Sequence, residues 1–281
     1  MSVLVKRILL LDVCLAIMIM DGQMQTVDIV YFSPTHSSEK IAKAIASGIG
    51  VPRRRVIDLT LGRSDSDIKI ADGDFVILCA PVYAGRVAPV AVERLRRLKI
   101  EGKNKAVVAV VYGNRDYDDA LVELYDIAVD MGLEPVAAGA FVGEHSYSRP
   151  DMPVAAGRPD ALDVDEAKRL GKVCLEKWMP GAVSGDLHIK GNRPYREAKH
   201  SEPVAPVSTG DCAGCGECVG VCPTGAISLT DNGAIVTDAT NCIKCCACVK
   251  VCPIGARKFD TPFTAYLYQN FSVRREPELF V

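Results

Sequence analysis

Eight of the twelve cysteines fall into two copies of one motif, and the copies begin 30 positions apart. Each copy reads Cys-x2-Cys-x2-Cys-x3-Cys-Pro. This is the spacing of thiolates that bind [4Fe–4S] clusters, in which the last cysteine of each run ligates the other cluster. The sequence therefore predicts two clusters, one bound by Cys212, Cys215, Cys218 and Cys252, the other by Cys242, Cys245, Cys248 and Cys222.

Zinc and disulfide bonds are the alternatives for this cysteine-rich segment. Zinc sites use pairs of Cys-x2-Cys and need neither the third cysteine nor the Cys-Pro step, and disulfide frameworks are typical of small secreted proteins. Pro223 and Pro253 occupy equivalent positions, and a Gly-Ala pair recurs after each of them. In these features residues 208–260 resemble the bacterial-type two-cluster ferredoxins. A segment this short buries little core, so metal binding must supply much of its folding free energy.

The other four cysteines are predicted to be structural. Cys14, Cys79 and Cys174 lie in apolar stretches and are expected in the core. Cys246 stands where the first copy has Gly216. We expect a small buried side chain beside the second cluster; a role as a cluster ligand is the alternative.

Charge limits the classes of partner. The chain has 281 residues, which is enough for two domains. It has 33 basic and 35 acidic side chains and a net charge of −2, so nothing suggests binding to nucleic acid. Lys244 and Lys250 lie next to ligands of the second cluster and should raise its reduction potential, because positive charge stabilises the added electron. Thiolate-bound clusters need a reducing compartment, which favours the cytoplasm. The expected partner is a redox protein.

Residues 8–20 form an apolar stretch interrupted by Asp12. The stretch is shorter than the roughly 20 residues that span a bilayer, so we expect no integral membrane span. We interpret residues 1–23 as an uncertain extension, with translation beginning at Met20 or Met24. A signal peptide and a helix bound to a membrane or a partner are the alternatives.

The elements that must position this chemistry alternate between strand and helix. Strands are predicted at 27–32, 55–59, 75–80, 106–112 and 136–142, several of them apolar on both faces as in buried parallel sheets. Helical patterns include Ile41 to Ile49, Val90 to Leu98, Ala120 to Val129 and Val164 to Trp178. The pattern predicts a doubly wound, five-stranded parallel α/β sheet. Such sheets bind ligands at the carboxyl ends of their strands. The resemblance to two-cluster ferredoxins implies a small α+β ferredoxin domain after this sheet.

Three loops follow predicted strands and could bind a ligand. Residues 33–38 bring hydroxyl groups to the start of a helix without a lysine, which suits a phosphate held by neutral donors. Residues 81–86 and 112–117 carry tyrosines and glycines that could enclose a flat ring. A Gly-x-Gly-x-x-Gly motif is absent from the sequence, which argues against a nicotinamide site.

Residues 27–178 resemble the flavodoxins in these loops. The flavodoxin phosphate loop reads roughly [ST]-x-T-G-x-[ST]; Ser33, Thr35 and Ser38 match it, while His36 stands where the family usually has glycine. The resemblance implies FMN as the cofactor. It implies as contact residues Ser33, Thr35, His36, Ser37, Ser38, Pro81, Val82, Tyr83, Ala84, Gly85, Tyr112, Gly113, Asn114 and Tyr117. At least one of the three tyrosines is expected to stack on the flavin.

Several charged and aromatic residues outside these motifs have two interpretations. Arg86 could pair with a carboxylate or be solvated. The runs at 53–55 and 94–99 favour a solvated surface, with a docking patch for an acidic partner as the alternative. His145 and Tyr147 follow the fifth strand and could approach the flavin or the clusters, or simply cap a loop.

The predicted domains are a flavodoxin-like domain at 24–180, a linker at 181–207, a ferredoxin domain at 208–260 and a tail at 261–281. A short linker raises the effective concentration of one redox centre at the other. We therefore expect an electron-transfer protein. A flavin-dependent oxidoreductase is the alternative, with acid–base candidates His36, His145 and Tyr117. A redox sensor would need an output module, and no such module is recognisable in the sequence.

Overall fold

The computed structural model describes residues 26–62, 66–179, 187–197 and 202–281. The N-terminal extension, including Cys14, lies outside the described residues. The helices are α1 Ser37–Ile49, α2 Pro89–Leu95, α3 Ala120–Asp130, α4 Ala161–Trp178, α5 Glu217–Gly220, α6 Ala247–Val251 and α7 Pro262–Phe271. The strands are β1 Val27–Tyr31, β2 Arg54–Asp58, β3 Ile68–Ile70, β4 Phe75–Tyr83, β5 Arg86–Val87, β6 Leu98–Ile100, β7 Asn104–Tyr112, β8 Leu133–Val142, β9 Val207–Ser208, β10 Ile227–Leu229, β11 Ile235–Thr237, β12 Arg257–Lys258 and β13 Glu278–Phe280.

The main sheet contains the five predicted parallel strands in the order β2-β1-β4-β7-β8. Counted among themselves, these strands have the spatial order 2-1-3-4-5, which is the flavodoxin-like order. The central strands are apolar on both faces because both faces are covered by helices; all five residues of β1 are buried. The predicted fold class is confirmed: the N-terminal part has a flavodoxin-like α/β fold.

Helices cover the sheet on both sides and give it two hydrophobic cores. Helices α2 and α3 pack on one face, and α1 and α4 pack on the other. The α1–α4 crossing is close because Gly48 and Gly171 face the partner helix; a Cβ on Gly171 would lie 2.1 Å from the carbonyl oxygen of Ile45. Cys79 and Cys174 belong to the second core, as predicted.

The C-terminal segment returns to the flavodoxin-like sheet. Strand β13 pairs antiparallel with β8, placing Leu279 opposite Gly139, so the predicted tail forms an added edge strand. The two-residue β5 also pairs with the end of β4. The sheet therefore has more strands than the five expected. One helix prediction was too long: α2 ends at Leu95, and Leu98 begins β6, which pairs with β3.

The cysteine-rich segment is a small α+β unit with an internal repeat. Two short antiparallel pairs, β10–β11 and β9–β12, frame helices α5 and α6. The two copies share left-handed backbone conformations at matching positions, with φ of 65° and 57° at Gly214 and Lys244 and of 79° and 57° at Gly216 and Cys246. The duplication seen in the sequence is therefore also a duplication of backbone geometry.

The described part of the predicted linker lies on the flavodoxin-like domain. The backbone N–H and the side-chain amide of Asn192 both donate to Asp119, at 2.8 and 2.9 Å. Arg193 and Tyr195 donate to Asp126. Residues 187–197 therefore extend the surface of the flavodoxin-like domain. The exact domain boundaries stay a prediction.

Candidate redox site

The first predicted set of ligands surrounds one cavity. Cys212, Cys215, Cys218 and Cys252 line it, together with Ile235, Ile254, Ala256 and Arg257 among others. Cys252 comes from the second motif, so the chain crosses between the copies as the spacing predicts. Cys215 is exposed and Cys218 is buried, so this site opens to the surface on one side. Four cysteines around one cavity form a donor set that fits a [4Fe–4S] cluster.

The second predicted set lies deeper in the molecule. Cys245 and Cys248 are buried, whereas Cys242 and Cys222 are half-buried. Burial raises the pKa of Cys242 and also that of Cys245, the latter to about 12, and the negative charge of nearby Cys222 raises both further. Cys222 of the first motif therefore lies beside the second set.

Cys246 is buried, as expected, but its backbone is unusual. It caps α6 with a φ of 57°, and the equivalent Gly216 adopts a φ of 79°. Glycine adopts this conformation without steric cost, whereas cysteine does not. Burial raises the pKa of the Cys246 thiol strongly. Its sulfur lies 3.7 Å from the carbonyl oxygen of Lys244, so it is a packed side chain beside the second ligand set.

The loop between β1 and α1 presents unpaired backbone donors. Ser33 accepts a hydrogen bond from the N–H of Glu39 at 3.0 Å, and its own N–H donates to Thr60 at 2.9 Å. Within the described residues, the N–H groups of Ser37 and Ser38 in the first helical turn have no acceptor, which is typical of a helix start. These donors fit a bound phosphate.

His36 has a backbone conformation that favours glycine, the residue that flavodoxins usually have at this position. Its φ is 63°, in the left-handed region. The imidazole is exposed and its Nδ1 lies 2.8 Å from Glu39, so the side chain points to solvent. Ser38 is buried, and a hydrogen bond from Ser38 partly offsets the rise in the pKa of Cys79 that burial causes. Ser38 therefore offers its N–H to the loop, and its hydroxyl is used in the core.

The second loop is a tight hairpin that brings Tyr83 to the cysteine-rich unit. Ala84 and Gly85 have φ of 53° and 82°, and they connect β4 to β5. Arg86 pairs with Glu123 at 2.6 Å, which decides between its two interpretations. Burial raises the pKa of Tyr83, and the negative charges of Cys245 and Cys246 add to it. Tyr83 therefore lies close to the second ligand set.

The third loop packs against the C-terminal segment. Tyr112, Asn114 and Tyr117 are all buried. The amide of Asn114 donates to the carbonyls of Phe271 and Val273, at 2.6 and 2.8 Å, and the hydroxyl of Tyr117 donates to Glu278 at 2.7 Å. Of the three tyrosines, Tyr83 is half-buried. The flavin contacts of all three stay a prediction.

His145 and Tyr147 lie between the two parts of the chain. A Cβ on Gly113 would lie 2.4 Å from the imidazole of His145, which places the ring directly on the third loop. The N–H of Tyr147 donates to Nδ1 of His145 at 3.0 Å, and the Tyr147 ring lies 5.1 Å from Phe259. Burial lowers the pKa of His145 to about 4, and Arg115 and Lys250 lower it further. These rings form an aromatic bridge between the two parts. The sequence left open whether His145 and Tyr147 approach the flavin or the clusters or cap a loop, and it did not indicate this bridge.

Polar contacts also connect the two parts. Lys250 pairs with Glu144, and Arg149 pairs with Asp260. Arg94 donates to the carbonyl of Pro223 at 2.5 Å and to two carbonyls at the end of β2. Arg55 pairs with the buried Asp28 at 2.6 Å. Arg55 stays exposed, as expected for a solvated run, although its head group pairs with Asp28. Arg94 is half-buried and reaches acceptors that the local sequence does not reveal.

Comparison with known proteins identifies the C-terminal part. Residues 207–253 match the family model of the 4Fe-4S dicluster domain. The chain thus joins this domain to a flavodoxin-like fold, whose evidence is the strand order described above. No curated protein sequence matches the chain.

Solved structures give low-scoring matches over the N-terminal part. Flavodoxin 1 from Bacillus cereus is 16% identical, with a TM-score of 0.37, over 54% of this chain and 97% of its own. A mutant Fusobacterium nucleatum flavodoxin bound to flavin mononucleotide is 13% identical, with a TM-score of 0.32, over 54% and 93%. Rubredoxin oxygen:oxidoreductase from the anaerobe Desulfovibrio gigas is 15% identical, with a TM-score of 0.37, over 54% of this chain but 36% of that protein.

In the described ranges, none of the helices is both long enough and apolar enough to cross a bilayer.

Proposed function

We propose that the chain is an electron-transfer protein that binds two [4Fe–4S] clusters and one FMN and passes single electrons among them and on to a redox partner protein. One observation carries this proposal. Tyr83 ends β4, where the flavodoxin resemblance places the flavin ring, and it packs against the same apolar core as Ile243, which lies between the predicted ligands Cys242 and Cys245. This packing supports a short distance between the flavin and the second cluster.

The exposure of the cysteines supports an order for the electron path. The first set is open to solvent at Cys215, whereas Cys245 and Cys248 of the second set are buried. A partner protein can approach the exposed first site, whereas Ile243, beside two ligands of the second site, packs on the core of the flavodoxin-like part. We therefore propose the path partner, first cluster, second cluster, flavin, in either direction.

The flavodoxin-like half supports FMN through its loops. The unpaired N–H groups of Ser37 and Ser38 suit a phosphate, and the short hairpin at Ala84 and Gly85 leaves Tyr83 beside the carboxyl ends of the strands. FMN supplies one- or two-electron chemistry when it is bound. The chain's part is to bind the phosphate, to orient the ring against Tyr83 and to exclude water at the buried junction.

The oxidoreductase alternative has less support in the site. Tyr117 is buried against Glu278, and His36 points to solvent beside Glu39. His145 is the remaining acid–base candidate, but its pKa of about 4 keeps it neutral near pH 7. A carrier needs none of these groups to transfer protons. The thiolate ligands further favour a cytoplasmic location, because that compartment keeps them reduced.

Composition of the purified protein is the first test. Anaerobic purification should yield about eight irons per chain, from two four-iron clusters, together with one FMN. Two zinc ions and no flavin would contradict the proposal. Saturable turnover of one small molecule, with reduced ferredoxin as donor, would replace the carrier with an enzyme.

The kinetics of electron transfer from the clusters to the flavin test the proposed order of the path. After rapid reduction of the clusters, bleaching of the flavin should follow at a rate independent of protein concentration, because the step is intramolecular. Cys215→Ser changes a ligand of the outer cluster and should slow reduction by a partner protein while leaving transfer from the second cluster intact. Cys245→Ser changes a ligand of the inner cluster and should abolish flavin bleaching. Equal effects of the two substitutions would contradict the proposed order.

A further inference from the structure

Arg257 is a buried cation with neutral partners. It is 2% exposed and begins β12. One terminal nitrogen donates to the hydroxyl of Ser208 at 3.0 Å, and the other donates to the carbonyl of Pro206 at 2.9 Å and the hydroxyl of Thr237 at 2.7 Å. Among the described residues, no carboxylate pairs with this guanidinium.

The guanidinium lies between the two sets of cysteines. Arg257 lines the cavity that Cys212, Cys215, Cys218 and Cys252 surround. Its Nη2 also lies 3.9 Å from the sulfur of Cys248, a predicted ligand of the second cluster. One cation therefore acts on both sites.

One donor of this side chain is unused. The Nε atom of Arg257 is buried and has no hydrogen-bond partner among the described residues. A buried donor without a partner is costly, and so is a buried charge without a counter-charge. A negatively charged group in the adjacent cavity would supply a hydrogen-bond acceptor for Nε and a counter-charge for the guanidinium. A thiolate-ligated [4Fe–4S] cluster is such a group, and its negative charge grows by one on reduction.

The repeat supplies an internal comparison. Gly225-Ala226-Ile227 in the first copy aligns with Gly255-Ala256-Arg257 in the second. Ile227 is buried in an apolar cluster with Cys218 and Cys248. An apolar side chain thus serves the position in one copy, so packing alone does not require arginine in the other.

We propose that Arg257 is a redox-tuning residue that raises the reduction potentials of both clusters. Its fixed positive charge stabilises the added electron on either cluster, and its Nε donates a hydrogen bond to a sulfur of the first cluster. Because the charge lies between the sites, it shifts both potentials in the same direction. The difference between the two reduction potentials therefore stays small, and electron exchange between the clusters stays close to equilibrium. This inference rests on the proposed function, since it requires both clusters.

Potentiometric titration followed by electron paramagnetic resonance tests the inference on the full-length holoprotein. Arg257→Gln removes the charge and should shift the reduction equilibrium of each cluster at least tenfold towards the oxidised form, which is 59 mV for a one-electron couple. Arg257→Lys keeps the charge and should shift it less than Arg257→Gln does. Lys258→Gln is the matched control: it removes an exposed charge one residue away, where water screens the charge, and should shift the equilibrium by less than half as much.

The outcomes separate this inference from the proposed function. A wild-type protein without eight irons contradicts the proposed function itself. A wild-type protein with eight irons and unchanged potentials in Arg257→Gln overturns only the role of Arg257. If Arg257→Gln fails to hold iron, Arg257→Lys decides: near-native potentials support the role of charge. Loss of iron in both variants overturns it, because the shape of arginine would then be what the site needs.

Discussion

Asn114 shows how one side chain can connect distant parts of the fold. Its φ of 65° is in the left-handed region, which asparagine tolerates better than most residues. Its amide holds two carbonyls of the C-terminal segment and is buried. The sequence indicated a functional loop at Asn114, but the acceptors lie more than 150 positions further along the chain, so local patterns could not reveal them.

Replacing Asn114 with aspartate should therefore destabilise the protein. The shape is kept, but the two carbonyls lose their donor and face a carboxylate, at a cost of about 1–3 kcal/mol. Chemical denaturation followed by circular dichroism measures the loss. Asn270→Asp is the matched control, because its amide makes one exposed bond to Tyr266, and we expect a change within about 0.5 kcal/mol. Equal losses in the two variants would show that the Asn114 contacts contribute little.

His145 should make stability depend on pH below neutrality. Its pKa is about 4 in the folded chain, because of burial first and of Arg115 and Lys250 next, against 6.5 in the unfolded chain. The unfolded chain therefore binds an extra proton between these values. The contribution is fully present above pH 6.5 and is lost as the pH falls towards 4, with a slope of at most about 1.4 kcal/mol per pH unit.

The measurement is the thermal midpoint of the wild type and of His145→Gln between pH 5 and pH 7.5. The difference between the two proteins should change with pH in this range, since glutamine does not titrate. Parallel pH profiles would mean that His145 is not held neutral by the fold.

At the scale of elements, the parallel strands were predictable and the added strand was not. Strands such as β4 and β7 are apolar on both faces, a pattern that a sequence displays directly. Strand β13 has three residues, and its partner β8 ended more than 130 positions earlier. A segment of three residues is too short to show the alternating pattern of a strand. The local sequence also does not reveal which strand it pairs with. For the same reason the sequence does not reveal that Tyr117 donates a hydrogen bond to Glu278.

A chain that stops after Glu276 should expose the edge of the sheet. Loss of β13 frees the backbone groups of β8 around Gly139, and unprotected edges pair with other chains. Size-exclusion chromatography should show dimers or larger species that grow with concentration. A chain that stops after Phe280 keeps β13 and is the control; if both truncated chains stay monomeric, the edge is protected by something other than this strand.

For the whole molecule, the junction combines partly exposed ion pairs with the half-buried rings of His145 and Tyr147 and the buried ring of Phe259. Lys250–Glu144 and Arg149–Asp260 are partly exposed, and such pairs contribute about 0–1 kcal/mol each. Tyr147 packs against His145 and Phe259 with centroids 5.0 and 5.1 Å apart. The rings should therefore set the docking of the two parts, and the ion pairs should refine it.

Tyr147→Ala should loosen this docking and slow transfer between the clusters and the flavin. Removing a large packed ring costs about 3–5 kcal/mol at a well-packed site. The measurement is the concentration-independent rate of flavin bleaching, with cluster and flavin content checked in the same sample. Tyr147→Phe keeps the ring and should retain the wild-type rate. If both variants transfer electrons at the wild-type rate, the aromatic bridge has no role in docking.

The pairing of Val207 with Lys258 in β9–β12 has a consequence for how cells handle this protein. This pairing holds the two ends of the cysteine-rich unit close together. The folded unit is therefore a short tether between the flavodoxin-like domain and β13. Iron starvation would loosen the unit and lengthen the tether, and each doubling of a flexible tether weakens closure by about 0.6 kcal/mol. The terminal strand would then detach more often, offering a cleavable end to proteases. Chains without iron–sulfur clusters should therefore have shorter lifetimes in the cell than chains that bind them.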